Sequence, residues 1–176
     1  MKNFKYFFLF LLMSCSSSKV ITDYDSQINF DDFKTYSFFE DAGKGLNELD
    51  VKRVTESIKY ELDLKGLQEV ENPDFYINVI SNISEVQNNN TIGIGIGGGG
   101  NNGGFGISGG IPIGGKKLNE ELIIEFVNAK TNSIIWEGIL NSTIKEKRSP
   151  EEKVLHFKNI IPKILAKYPP EINSNN

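Results

Sequence analysis

The sequence contains one cysteine and one histidine among its 176 residues. A disulfide needs two cysteines, so none forms within the chain and the fold must depend on packing. A metal site built from several thiolates is excluded for the same reason. No other residue pattern predicts a metal site or a cofactor.

The sequence also has no excess of basic residues. The 19 lysines and arginines are outnumbered by 23 acidic residues, which gives a formal net charge of −4. Nucleic-acid-binding domains present a basic face, so nucleic acid is not an expected partner. No apolar run approaches the roughly 20 residues that a transmembrane helix needs.

Residues 1–14 have the layout of a secretory signal peptide. They contain two lysines near the start and an apolar run, and the small residue Ser14 ends them. Leu12, Ser14 and Cys15 also resemble a bacterial lipobox. In that motif the cysteine sulfur receives a diacylglycerol, the chain is cut before the cysteine, and the new amino terminus is acylated.

This resemblance implies a lipid bilayer as partner through acylated Cys15, with residues 15–19 as a tether. Two or more acyl chains hold a protein firmly on a membrane. The serines at 16–18 resemble neither the acidic mark of surface lipoproteins nor the aspartate of inner-membrane retention. We therefore expect attachment to an outer membrane, on the periplasmic side.

Apolar periodicity divides residues 20–171 into strands and helices. A helix is predicted at 48–65, because apolar residues recur every three or four positions between a capping Asn47 and a terminating Gly66. Alternating apolar residues predict strands at 20–24, 35–39, 74–86, 121–128 and 133–144. Their buried faces are expected to carry Phe75, Ile77, Val79, Ile83, Leu122, Ile124, Phe126, Ile134, Trp136, Gly138 and Leu140.

A second helix has a clear start signal. Ser149 and Glu152 form a capping-box pattern, and Pro150 occupies the first helical position, where a missing N–H costs nothing. Pro162 predicts a kink or a break, because it removes one backbone hydrogen bond. Residues 172–176 are expected to be a loose polar tail.

This element order predicts an α+β domain. Helices separated by runs of strands favour an antiparallel sheet of five to six strands with both helices on one face.

Several short motifs, in this order and spacing, resemble the DUF4136 family of bacterial lipoproteins over about residues 20–170. They are Asp23-Tyr24-Asp25, Phe30 with Phe33-Lys34-Thr35-Tyr36, Leu64-Lys65-Gly66-Leu67, Pro73-Asp74-Phe75, the strand 121–129, Ile135-Trp136-Glu137-Gly138 and Tyr168-Pro169-Pro170. The resemblance implies a lipid-anchored α+β domain of unknown activity. It supplies no catalytic residues.

Residues 93–115 hold 13 of the 17 glycines. They match phosphate-binding glycine patterns, but no helix follows to supply the N–H groups that hold a phosphate. The segment is either a loop or a glycine-rich hairpin that orders on a partner. The hairpin hypothesis rests on a candidate partner surface of spaced apolar residues: Ile92, Ile94, Ile96, Phe105 and Ile107.

The remaining candidates for chemistry favour structural roles. His156 lies one position off the apolar stripe of the last helix and is expected at the boundary of the core. Adjacent acids such as Glu120 and Glu121 point to opposite faces of a strand. Trp136 is expected in the core, and Asp23 and Asp25 in a turn rather than in a calcium site.

The sequence thus predicts a membrane-anchored lipoprotein with a non-enzymatic periplasmic domain that binds or scaffolds an unidentified ligand. An accessory role in outer-membrane assembly is one specific form of this hypothesis. The alternative is an envelope hydrolase acting on glycan or lipid. The sequence does not predict an oligomeric state.

Replacing the cysteine tests the anchor. Cys15→Ser removes the only thiol that lipid can modify, so metabolic labelling with a fatty acid should be lost and the protein should accumulate unprocessed. Ser16→Ala should leave labelling unchanged. Equal labelling of Cys15→Ser and the unaltered chain would contradict the prediction.

Overall fold

The computed structural model describes residues 19–86 and 117–171. Six strands and two helices lie in these ranges, with a short 3-10 turn at Phe30–Asp32. In chain order they are β1 (Val20–Tyr24), β2 (Thr35–Phe38), α1 (Glu48–Leu64), β3 (Gln68–Glu69), β4 (Phe75–Glu85), β5 (Lys117–Asn128), β6 (Ile134–Lys145) and α2 (Pro150–Leu165). The α+β class is confirmed.

The strands form one sheet in the order β1-β6-β5-β4-β2-β3. Antiparallel pairs join β1, β6, β5 and β4, whereas β2 runs parallel to both β3 and β4. The sheet is therefore mixed, and the prediction of an antiparallel sheet is wrong. The cause is α1, because a helical crossover returns the chain in its original direction beside the strand it left.

Both helices begin at the predicted caps. The Asn47 side chain accepts from the backbone N–H of Asp50, and the capping box of Ser149 and Glu152 is complete. Gly66 ends α1 with a φ of 79°. The helix α2 continues through Pro162 to Leu165, so the predicted break does not occur. Packing of the last turn outweighs the lost hydrogen bond: Ile161, Ile164 and Leu165 are fully buried.

One core lies between the helices and the sheet. It combines Val54, Ile58 and Leu62 of α1 and Phe157, Ile161 and Ile164 of α2 with the helix-facing residues of the strands. Trp136 is buried as predicted, and the ring of Tyr168 packs edge-on against Phe126 and Trp136.

Two residues assigned to the buried strand faces are exposed instead. Ile134 is 51% exposed, because the pairing of β5 with β6 shifts by one residue between Phe126 and Val127. Phe126 pairs with Trp136, whereas Val127 pairs with Ile134. The intervening Ile135 turns inward and is buried. Ile83 is 50% exposed near the end of β4.

Neither helix in the described ranges has the length and apolar character needed to cross a membrane.

Close packing at Gly138 yields a stability prediction. A Cβ added there would lie 2.6 Å from Cγ2 of Ile164 and 2.6 Å from the ring of Trp136. Gly138→Ala should therefore lower the free energy of unfolding by about 1–3 kcal/mol, the usual cost of overpacking, in urea denaturation. Thr143→Ala, exposed on the same strand, should change it by less than about 0.5 kcal/mol. A neutral Gly138→Ala would contradict this packing.

Candidate binding surface on the open face of the sheet

The helices cover one face of the sheet, and no element in the described ranges covers the other. On this open face, four isoleucines from four adjacent strands lie directly opposite one another. Ile21 pairs with Ile139, Ile139 with Ile123, and Ile123 with Ile80. This isoleucine row crosses β1, β6, β5 and β4, and Ile21 at its edge is 50% exposed.

An acidic row lies beside the isoleucine row, two residues further along each strand. It consists of Asp23, Glu137 and Glu125, directly opposite one another on β1, β6 and β5. Asn78 completes it on β4 and donates to Glu125 Oε2 at 2.8 Å.

A second apolar row lies on the far side of the acidic row. Tyr76, Val127 and Ile134 are aligned across β4, β5 and β6, and Phe39 stacks on Tyr76 with ring centroids 5.0 Å apart. Val127 at the centre of this row is only 7% exposed, so its accessible apolar surface comes from Tyr76 and Ile134. The open face is therefore striped: apolar, acidic, apolar.

In the described ranges, no basic side chain forms an ion pair with the acidic row. No lysine or arginine nitrogen lies within 4.0 Å of Asp23, Glu125 or Glu137 in the part of the chain that the structure describes. Partial burial, and then the charges of Glu125, Asp23 and Glu121, raise the pKa of Glu137 above its usual range. Like charges directly opposite one another in a sheet are destabilising.

A groove of about 590 Å³ separates the two helices on the other side of the domain. The groove is lined by both polar and apolar side chains, among them Arg53, Glu56, Tyr60, Lys158 and Val154. Tyr60 is 63% exposed. These side chains offer polar contacts to a ligand but no convergent catalytic set.

A buried polar cluster lies beneath the first half of α2. Glu120 is fully buried and its carboxylate contacts His156 Nε2 of α2. Ser81 Oγ lies 3.4 Å from Glu120 Oε1, and Arg148 Nη2 lies 4.0 Å from the same oxygen. Glu121 points to the opposite face, as predicted. The prediction that His156 lies at the core boundary is also confirmed, since 14% of its side chain is exposed.

A second buried carboxylate, Asp50, ties the two helices together. It accepts from Lys153 Nζ of α2 at 2.6 Å and from Arg53 Nη1 at 2.7 Å, and Asn47 donates to it as well. Burial is the largest single influence on its pKa and raises it, but the hydrogen bonds from Lys153, Arg53 and Asn47 together lower the pKa below its usual range. The ionised Asp50 carboxylate therefore stabilises the packing of the two helices at pH values above the pKa of an unfolded aspartate. This stabilisation is lost as the pH falls through the lower pKa of Asp50 in the folded protein.

A metal site finds no support in the described ranges, where no group of three histidine, cysteine or acidic side chains could hold an ion. Asp23 and Asp25 instead accept from the backbone N–H groups of Tyr24 and Gln27, which is turn chemistry.

The site residues expected from the sequence lie outside the described residues. These are Leu12, Ser14 and Cys15 of the lipobox, and Ile92, Ile94, Ile96, Phe105 and Ile107 of the glycine-rich segment. The described residues on either side of the glycine-rich segment lie side by side at one end of the sheet, where Val86 N–H donates to the carbonyl of Lys117.

The isoleucine row and the acidic row were not predicted. A signal existed, because consecutive apolar residues at Val79-Ile80, Leu122-Ile123-Ile124 and Ile139-Leu140 place an isoleucine on the face opposite the core. The pairing register that aligns these isoleucines follows from the tertiary structure.

The buried cluster predicts a stability difference between adjacent glutamates. Glu120→Ala leaves His156 and Arg148 without their carboxylate and should lower the free energy of unfolding by about 3–5 kcal/mol. Glu121→Ala on the open face should cost less than about 1 kcal/mol. Urea denaturation of both variants measures the difference, and equal costs would contradict the role assigned to the cluster.

Solved structures similar to this chain share its fold. A DUF4136 family protein from Bacteroides thetaiotaomicron matches with a TM-score of 0.52 and 17% identity, over 86% of this chain and 96% of that one. The PelC dodecamer from Paraburkholderia phytofirmans matches with a TM-score of 0.50 and 8% identity, over 85% of this chain and 95% of that one.

A PDZ domain protein from Parabacteroides distasonis gives a TM-score of 0.57 and 18% identity over 86% of this chain. This chain spans only 35% of that protein's length. No curated protein matches the sequence. The family model described as a domain of unknown function, DUF4136, matches residues 20–170. The chain therefore belongs to the DUF4136 family.

Proposed function

We propose that this protein is a lipid-anchored envelope protein whose domain binds a macromolecular partner through the open face of its sheet. The observation that carries the proposal is the isoleucine row, an apolar strip across four strands with no layer above it in the described ranges. Sheets bury an apolar face against another layer. A partner would supply that layer.

The anchor is the second part of the proposal. Acylation of Cys15 in the lipobox-like motif would hold the domain at a membrane, and we place it on the periplasmic side of an outer membrane. The tether of residues 15–19 would keep the domain within roughly 15 Å of the lipid surface. A non-enzymatic scaffold, such as an accessory in outer-membrane assembly, fits a domain held at this distance.

An envelope hydrolase is the second candidate, because Glu120 and His156 are in contact. The Glu120 carboxylate is inaccessible to substrate, because it is fully buried and neither Glu120 nor His156 lines the groove between the helices. A general acid or base must come within hydrogen-bond reach of substrate. Glu120 fits better as the buried counter-ion of α2.

Site-specific photo-crosslinking in living cells tests the binding surface. A photoreactive phenylalanine analogue replaces Ile123 in one variant and Ile139 in a second. Leu155, which is 61% exposed on α2, carries it in a control. We expect the same envelope protein, identified by mass spectrometry, to be crosslinked from both sheet positions and not from the control.

Two results would contradict the proposal. One is the absence of any crosslink from both sheet positions in membranes that contain the variant at its normal level. The other is an identical set of products from Leu155, which would indicate random collision rather than a binding face.

A further inference from the structure

The striped pattern of the open face specifies the chemistry of its partner. The acidic row lies between the isoleucine row and the row of Tyr76, Val127 and Ile134. A complementary surface needs positive charge along its centre line and apolar groups on both sides. Burying the isoleucines without satisfying the carboxylates would be unfavourable, because an unpaired charge removed from water is costly.

The spacing of the rows matches one face of an α-helix. Neighbouring strands lie about 4.8 Å apart, so the three carboxylates recur at about that interval along the row. Residues three or four positions apart on a helix are about 5–6 Å apart. The apolar rows lie about 7 Å to either side, two residues along each strand, so they are about 14 Å apart. A helix with its side chains is about 10–12 Å across and would therefore contact the inner edges of both rows.

Two other occupants are disfavoured by charge. A second copy of the chain, docked face to face, would bring two acidic rows together. An anionic lipid surface would repel the same carboxylates. Charge complementarity therefore selects a cationic protein segment.

We propose that the open face binds an amphipathic helix of a partner protein that carries lysine or arginine along its centre line between two apolar stripes. This inference rests on the proposed function, since it names the partner of the same surface. Docking would complete a three-layer arrangement, with helices on both faces of a mixed sheet.

The like charges of the acidic row are unfavourable in the folded free protein, and a stability measurement tests this. Because the folded protein raises the pKa of Glu137, the charged form opposes folding above that pKa, and stability increases as pH falls through it. Glu137→Gln should therefore raise the Tm at pH 7 by about 1–2 °C. A purely structural carboxylate would show the opposite sign.

Binding is tested with the full chain in nanodiscs of zwitterionic lipid. The probe is a synthetic helical peptide of about 18 residues, about 27 Å long, with lysines at i, i+4 and i+7 between stripes of leucine. A second peptide has glutamine in place of every lysine. Isoleucine methyl NMR locates the binding, and calorimetry measures the affinity at low and at high salt.

We expect the lysine peptide to shift the methyl signals of Ile80, Ile123 and Ile139 and to bind more weakly as salt increases. The double variant Glu125→Gln/Glu137→Gln should weaken this binding at least about tenfold. The control Glu48→Gln/Glu71→Gln, which removes the same charge from exposed sites at the start of α1 and in the loop after β3, should leave the affinity unchanged.

Three results would overturn the inference. Equal affinity of the lysine and glutamine peptides would remove the charge requirement, while crosslinks from Ile123 would still support the open face as a binding surface. Equal loss in both double variants would indicate nonspecific attraction. A stable dimer that already buries the isoleucine methyls, detected without peptide, would assign the face to a second copy.

Discussion

Two helices bury one face of the sheet, whereas no element in the described ranges covers the other face. This asymmetry governs the rest of the structure. Alternation along β4, β5 and β6 sends every second side chain into one core. The intervening side chains have no layer to pack against in the described ranges, so the isoleucines of the isoleucine row on these three strands, like Ile21 on β1, contribute little to the core. Those isoleucines are the strongest indication of a binding surface.

Charge is handled differently on the two faces. On the helix side, the buried carboxylates of Glu120 and Asp50 each contact basic side chains of α2 or of the segment before it. Removing either partner from such a pair leaves an uncompensated buried charge, so these contacts fix the position of α2 on the sheet. On the open face, the carboxylates of Asp23, Glu125 and Glu137 are grouped, and no lysine or arginine nitrogen of the described residues lies within 4.0 Å of them. The carboxylates on the helix side are therefore structural, whereas those on the open face belong to the surface that we propose binds a partner.

The crossover through α1 determines which strands are neighbours. It places β2 parallel to β4 and leaves β4, β5, β6 and β1 as an antiparallel set with long, continuous registers. Only this set carries the rows of the open face. The family assignment agrees with the fold, and the similar structures extend the same architecture to proteins with 8–18% identity.

Local chemistry in the sequence determined the elements themselves. The Asn47 cap, the capping box at Ser149, the left-handed Gly66 and the apolar stripes are all set by residues within a few positions of one another. Tertiary structure decided which strands pair, in which direction and in which register, because those depend on residues far apart in the chain. Ile21 meets Ile139, and Glu120 meets His156, only once the sheet has formed. The inward turn of Ile135 and the continuation of α2 through Pro162 have the same origin, since core packing there outweighs the local preference of the backbone.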